Sequence, residues 1–306
     1  MISALVLTAG LGKRLDPLTR LVAKPAVPVG AETLGGRVLR WLAREGVTDA
    51  VLNLHYLPHT ITGLFGDGAS YGLRVRYSWE PTLLGSAGGP RHALPLIFPE
   101  RPIMRDRDPI LIVNGDTLTD VALGPIIDAH ARTGADVTMV VIPNPAKDRY
   151  NGVIADNDGT VRAFIPKGHK TDSWHFVGIQ VVNARVFAAL PDHTPAETVR
   201  GLYRDLVNTA PGRVRVFPVT ARFHDVGTPA DYLDTCRAFG GIDAHGNAAW
   251  PGTRVSDGAR VSRSILAGGV DVPAGLVADH AILVPRSVVR AGDVCDVAGT
   301  IALFTI

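Results

Sequence analysis

Cysteine is almost absent: Cys236 and Cys295 are the only two in 306 residues. With no CxxC pair and no Cys/His ligand spacing, a cysteine-ligated structural zinc site and a secreted disulfide framework are both excluded. Two reduced, structural thiols and a cytoplasmic location are the expectation. Long apolar runs are also missing. No stretch approaches the roughly 20 residues needed to cross a bilayer. The opening Met1–Gly10 segment is apolar but short, lacks a positive flank and runs into glycines. It reads as a buried strand, not a signal peptide. Charge of one sign is lacking too, with 31 basic against 29 acidic residues and a net charge of +2. Nucleic acid and membrane are therefore not expected partners. Two familiar phosphate motifs fail as well. GxGxxG is broken at Leu15, and GxxxxGK[ST] fails because Lys13 precedes Arg14.

What the chain does have is 46% hydrophobic residues, enough for one large domain and a smaller one. Short apolar runs alternate with helix-like segments through residue 240. Ile2–Leu7, Ala50–Leu54, Leu73–Tyr77, Ile110–Val113 and Asp136–Ile142 read as strands. Leu34–Arg44, Ile61–Phe65, Ser86–Leu94 and Leu123–Arg132 read as helices. Such alternation predicts an α/β fold, Rossmann-like, with a mostly parallel mixed sheet covered on both faces. Ligands in such sheets bind beyond the carboxyl ends of the strands.

After Gly240 apolar residues recur every sixth position: Val270, Leu276, Ile282, Val288 and Val294, with Val255, Val261 and Ala267 in an offset series. That period predicts a short, hexapeptide-type left-handed β-helix over 241–306, following a domain over 1–240.

Three stretches carry chemistry. The first, Leu7-Thr-Ala9-Gly10-Leu-Gly12-Lys13-Arg14, follows the first strand, and Lys24-Pro25 comes soon after. Gly10 and Gly12 let the backbone turn and approach a ligand closely, so that its N–H groups cradle phosphate. Lys13, Arg14 and Lys24 add positive charge. Taken alone, the stretch also fits an ordinary structural turn. The second, Asn114-Gly115-Asp116, ends an apolar strand in a carboxylate that suits Mg²⁺, or equally a turn or cap aspartate. In the third, Asp225-Val-Gly-Thr228-Pro229, Thr228 as N-cap and Pro229 at the first helical position make a sound helix start. The neighbouring His224 reads as a packing residue.

Together, Gly10-Leu-Gly12-x-Arg14-Leu-x-Pro17-Leu-Thr19 and Lys24-Pro25-x-x-Pro28-Val resemble the signature of sugar-1-phosphate nucleotidylyltransferases, or NDP-sugar pyrophosphorylases. Lys13 and Ala23 depart from it, standing where threonine and proline are usual. The resemblance covers roughly residues 1–240. It implies nucleotide contacts from Leu7, Ala9, Gly10, Gly12 and Lys13, and phosphate contacts from Arg14 and Lys24. It also implies Mg²⁺ on Asp116 and Asp225. Leu84-Gly85-Ser86-Ala87-Gly88 resembles the family loop that lies against the base, with Ser86 also placed to cap the next helix. On the sugar side, Asn114, Gly152 and Gly178 match family contacts, and Lys167 is the expected holder of the sugar phosphate. Pro166, Gly168 and Phe176 depart from the usual motifs there, which implies an altered acceptor pocket.

The implied reaction joins an NTP to a sugar 1-phosphate and releases pyrophosphate. Within the family, the tail and the Leu84–Gly88 loop favour GTP with mannose 1-phosphate. UTP with N-acetylmuramic acid 1-phosphate, UTP or dTTP with glucose 1-phosphate, and a non-catalytic regulatory relative stand as alternatives. Self-association through the tail is a further expectation.

Overall fold

The structure, a computed structural model, describes residues 2–99 and 108–306. The chain forms two compact units. One comprises Met1–Gly10, Val38–Pro58 and Phe65–Phe223; the other comprises Leu11–Arg37, His59–Leu64 and His224–Ile306. The signature loop thus shares a unit with the C-terminal tail, a grouping that the change of pattern at residue 240 does not anticipate.

The first unit is built on a nine-stranded sheet. Its strands are β1 (Ser3–Leu7), β2 (Asp49–Leu54), β3 (Arg74–Trp79), β4 (Pro109–Asn114), β5 (Val137–Pro143), β6 (Gly152–Ala155), β7 (Val161–Ile165), β8 (Trp174–Asn183) and β9 (Val214–Pro218). β1 lies between β2 and β4, parallel to both, and β3 extends this parallel half. In β1 and β4 the inner residues, Ala4–Val6 and Ile110–Val113, are all apolar and buried, as covered parallel strands require. Beyond β4 the direction reverses. β8 pairs antiparallel with β4 and β5, and β6–β7 is a hairpin. The Asp156–Gly159 turn is too short for the crossover that a parallel pair needs, so it forces an antiparallel one. Leu5, Ile112, Met139, Val182 and Phe187 form the core beneath. The five strands and four helices read from the sequence all exist, and helix Leu34–Arg44 has the expected bounds. The hairpin, β8 and β9 are additions.

In the second unit, helix Pro229–Ala238 joins the signature segment to the tail. The Tyr232 hydroxyl donates to the Pro28 carbonyl at 2.6 Å and accepts from the Trp250 indole N–H at 2.9 Å. In the tail, Ala248–Ala249, Ile265–Leu266 and Ala281–Pro285 stack as parallel strands. Arg254–Val255 pairs with Asp271–Val272, and Arg260–Ser262 with Val277–Asp279. Each partner lies 17 positions on, as in the hydrogen-bonded pairs Arg254–Asp271 and Ser262–Asp279. Three strand pairs at this common spacing are consistent with a parallel β-helix. The sixfold series does not persist: Val255 is half exposed and Val294 is 94% exposed. The stacking stops at Pro285, where Ala281–Pro285 pairs antiparallel with Ile301–Thr305. Val288 lies in a single 3₁₀ turn and Val294 in a loop, not in a further coil.

Candidate active site

The carboxyl ends of β1, β2 and β4 lie side by side because the strands run parallel in register: Leu7 faces Asn114, and Val6 faces Leu52. The chain turns sharply after Asn114. The Gly115 N–H donates to the Leu7 carbonyl at 3.0 Å, and a Cβ on Gly115 would stand 2.8 Å from that oxygen. Glycine at 115 is therefore what permits this close approach. The half-buried Asp116 follows directly. Gly178, at φ +80°, fits against the Asn114 amide and the Thr117 hydroxyl; a Cβ would lie 2.6 Å and 2.9 Å from them. The structure thus gathers Leu7, Ala9, Asn114, Asp116 and Gly178 around one sheet edge. Asp116 brings hard carboxylate oxygen, the donor type that Mg²⁺ takes.

A buried polar network, which sequence reading missed, ties this edge together. The Asn53 side-chain oxygen accepts the Thr8 N–H at 2.7 Å and the Ala9 N–H at 3.3 Å. Its amide donates to Glu80 at 2.7 Å, and the other Glu80 oxygen accepts the Leu84 N–H at 2.9 Å. Glu80 is fully buried and Asn53 nearly so. One carboxylate and one amide therefore fix the end of β1 relative to the Leu84–Gly88 loop. Gly89 is glycine for the same reason, since a Cβ there would stand 2.6 Å from Glu80.

Ser86 does not cap the helix that follows. Leu84 occupies the cap position of helix Gly85–Ile97, with no side-chain bond. The Ser86 hydroxyl instead donates to Glu197 at 2.6 Å and accepts the Thr198 N–H at 2.9 Å. Ala196 reinforces this clasp: its carbonyl accepts from Ala87 and Gly88, and its N–H donates to Leu84. Gly85, at φ +77°, has no room for a Cβ, which would lie 2.7 Å from the Ala196 carbonyl.

Of the remaining sugar-side residues, Gly152 opens β6 and Lys167 follows β7. Gly152 packs on Ser173 and Ile165, and the exposed Lys167 donates its backbone N–H to the Asn151 side chain at 3.1 Å. Beside them His175 is buried between Tyr150 and Phe223, with ring centroids 4.2 Å and 5.1 Å away. Burial pushes its imidazole down to about 4, so the ring is neutral at pH 7.

In the second unit, Gly12 adopts a left-handed φ of +62°, and Lys13 and Arg14 project from the 3₁₀ turn that it opens. The Arg14 guanidinium lies directly over Gly227, where a Cβ would meet it at 2.8 Å. The loop thereby brings Arg14 to the Asp225-Val226-Gly227 turn. Thr228 caps the next helix, as read from sequence, and the structure adds a reciprocal box with Asp231. His224 packs edge-on against Phe239, at 5.4 Å. Arg20 is held by Asp16, Asp293, the Val288 carbonyl and the Phe304 ring. Its bonds to Asp293 and Asp16 hold the guanidinium firmly charged, and bonding to Arg20 lowers the Asp293 carboxyl to about 2. The tail thus grips the turn that follows the one carrying Arg14. Cys236 and Cys295 are unpaired thiols.

The nucleotidyl transferase family model matches residues 3–239. The chain belongs to that family. It is 26% identical to the mannose-1-phosphate guanylyltransferase of Mycobacterium tuberculosis, over 96% of this chain and 83% of that protein. It is 28% identical to the mannose-1-phosphate guanyltransferase of Debaryomyces hansenii, over 75% of this chain and 62% of that one. Among solved structures it resembles HddC from Yersinia pseudotuberculosis complexed with GMP-PN (TM-score 0.65, 22% identity, 78% of this chain, all of that one). It also resembles a putative glucose-1-phosphate thymidylyltransferase from Bacillus anthracis (TM-score 0.68, 15% identity, 79% of this chain, 97% of that one). As a nucleotidyl transferase the chain is an enzyme that moves a nucleotidyl group. Among the described residues no helix is long and apolar enough to cross a membrane.

Proposed function

We propose that this nucleotidyl transferase joins GTP to mannose 1-phosphate, giving GDP-mannose and pyrophosphate, with residues 1–240 as the catalytic domain and the tail as its support. The observation that carries the reading is the sheet edge where Gly115 turns Asp116 out beside the end of β1, the strand that leads into the Gly10–Arg14 loop. The names of the mycobacterial and fungal relatives support the choice of base and sugar.

In this reading a sugar-phosphate oxygen attacks the α-phosphorus. A new P–O bond forms, the bond to the β-phosphate oxygen breaks, and pyrophosphate carries away the electron pair. The acceptor is already anionic at pH 7, so the protein's task is positioning and charge neutralisation. Leu7, Ala9, Gly10 and Gly12 bring backbone to the nucleotide, and Gly85 and Ser86 line its base. Lys13 and Arg14 face the triphosphate. Lys24 and Lys167 neutralise the reacting phosphates. Gly152, Gly178 and Asn114 form the floor beneath the sugar. Asp116 and Asp225 are each assigned as Mg²⁺ ligands; bound Mg²⁺ supplies charge neutralisation on the phosphates.

Single variants Asp116→Asn and Arg14→Ala should each lower kcat/KM about 100-fold or more, as loss of a transition-state electrostatic contact does. Near-normal turnover in both, with Mg²⁺ present, would remove this assignment.

A further inference from the structure

Away from the residues assigned above, His92, Asp192 and His193 converge. One ligand atom from each lies within 4.8 Å of the others. His92 is on helix Gly85–Ile97, and the other two lie in the loop about 100 positions on. His92 Nδ1 stands 3.0 Å from one Asp192 oxygen, and His193 Nε2 stands 3.9 Å from the other. Around a tetrahedral ion with bonds of about 2.0–2.1 Å, neighbouring ligand atoms are about 3.3 Å apart. The cluster is already near that spacing, and the exposed His193 ring can close the remainder.

Two further features fit a bound cation. His92 Nε2 lies 3.1 Å from the Trp79 carbonyl. A backbone carbonyl beside the distal ring nitrogen is the usual outer contact of a metal-bound histidine, and it leaves Nδ1, the nitrogen that faces Asp192, for the ion. Secondly, His193 has a left-handed φ of +56°. Such a backbone is uncommon for a residue other than glycine. Here it turns the side chains of consecutive residues 192 and 193 toward one point, and the Asp192 carboxylate holds it by accepting the His193 N–H at 2.8 Å.

We propose that His92, Asp192 and His193 form a binding site for a divalent transition metal of the Zn²⁺ class, separate from the Mg²⁺-type carboxylates. Two imidazoles favour Zn²⁺, Ni²⁺ or Cu²⁺ over Mg²⁺, which prefers oxygen. Three protein ligands leave an open position for water. The bound ion would link helix Gly85–Ile97 to the segment that clasps Ala87 and Gly88 through the Ala196 carbonyl. It would therefore stiffen the Leu84–Gly88 loop. The binding claim does not depend on the proposed substrates.

The test is Zn²⁺ titration of the full chain, stripped of metal, against a chromophoric zinc chelator, with Co²⁺ absorption as a second readout. One equivalent of Zn²⁺ and a Co²⁺ d–d spectrum of low-coordinate type are expected. His92→Ala and His193→Asn should each weaken binding at least ~10-fold and abolish the Co²⁺ bands. Asparagine tolerates the left-handed backbone, so His193→Asn keeps the loop even if His92→Ala disturbs its helix. Asp116→Asn should retain the equivalent. Absence of stoichiometric Zn²⁺, or unchanged affinity in His193→Asn, would overturn the proposal.

Discussion

The Asn53–Glu80 network makes a demanding prediction because its donors and acceptors can be exchanged. In the native arrangement Glu80 accepts from Asn53 on one side and from the Leu84 N–H on the other, while Asn53 accepts from Thr8 and Ala9. Glu80→Gln leaves one acceptor facing two donors, so a buried N–H is opposed by another. An orphaned buried donor costs about 1–3 kcal/mol, and opposed donors stand at the upper end. Asn53→Asp sets two carboxylates at the 2.7 Å contact where a bond had been. That costs about 3–5 kcal/mol, as breaking buried charged networks does. The double variant restores the pattern. The new carboxylate at 53 still accepts from Thr8 and Ala9, the new amide at 80 donates to it, and its carbonyl accepts from Leu84. The double variant should therefore lie within about 1–2 kcal/mol of the parent, a coupling of at least about 2 kcal/mol. At roughly 2–4 °C per kcal/mol for a chain of this size, the singles should melt about 5–15 °C lower, and the double should recover most of that. Thermal melts by circular dichroism measure it, and urea midpoints check it. Additive losses, with the double the least stable, would refute the hydrogen-bond assignment.

Three other outcomes are expected. His175 titrates near 4 in the fold against about 6.5 unfolded, so the unfolded chain binds more protons between those values and stability falls on acidification through that window. His175→Phe should flatten that part of a stability-against-pH curve, removing a loss of about 3 kcal/mol in all; an unchanged slope would count against it. Gly178→Ala should cost about 2–4 kcal/mol from its positive φ and its clash with Asn114, and should raise KM for the sugar phosphate more than for the nucleotide. Arg20→Leu should raise amide hydrogen exchange at Leu15 and Leu21 at least ~10-fold, because the tail loses its hold on the loop; unaltered protection would show that the clamp is dispensable.

What could be read in advance follows from local physics. Runs such as Ile110–Val113 are apolar at every position because their strands are covered on both faces, so the pattern alone locates them. The Thr228-Pro229 start was equally legible, since capping chemistry is contained in four consecutive residues. The hexad period pointed to stacked short strands, but the stacking repeats every 17 positions and stops before the period does. Beyond Pro285 the same spacing of valines persists with nothing to stack on, and pairing with Ile301–Thr305 replaces the next coil. The missed residues act over long separations. Asn53 and Glu80 are 27 positions apart, Ser86 and Glu197 are 111 apart, and Arg20 and Asp293 are 273 apart. No local window joins such pairs; only the folded chain does. Ser86 looked like a cap because serine before a helix usually is one, yet the chain gave its hydroxyl to the 197–198 segment.

The most direct test of the account is Mg²⁺-dependent pyrophosphate release by the full chain. Each of GTP, UTP, dTTP, ATP and CTP is paired with mannose, glucose and N-acetylmuramic acid 1-phosphates. Release with GTP and mannose 1-phosphate should exceed that with every other pair, and should be lost in Asp116→Asn. Preference for another pair would contradict the substrate proposal alone. Silence with all pairs, from folded protein that still binds nucleotide, would contradict the catalytic reading itself.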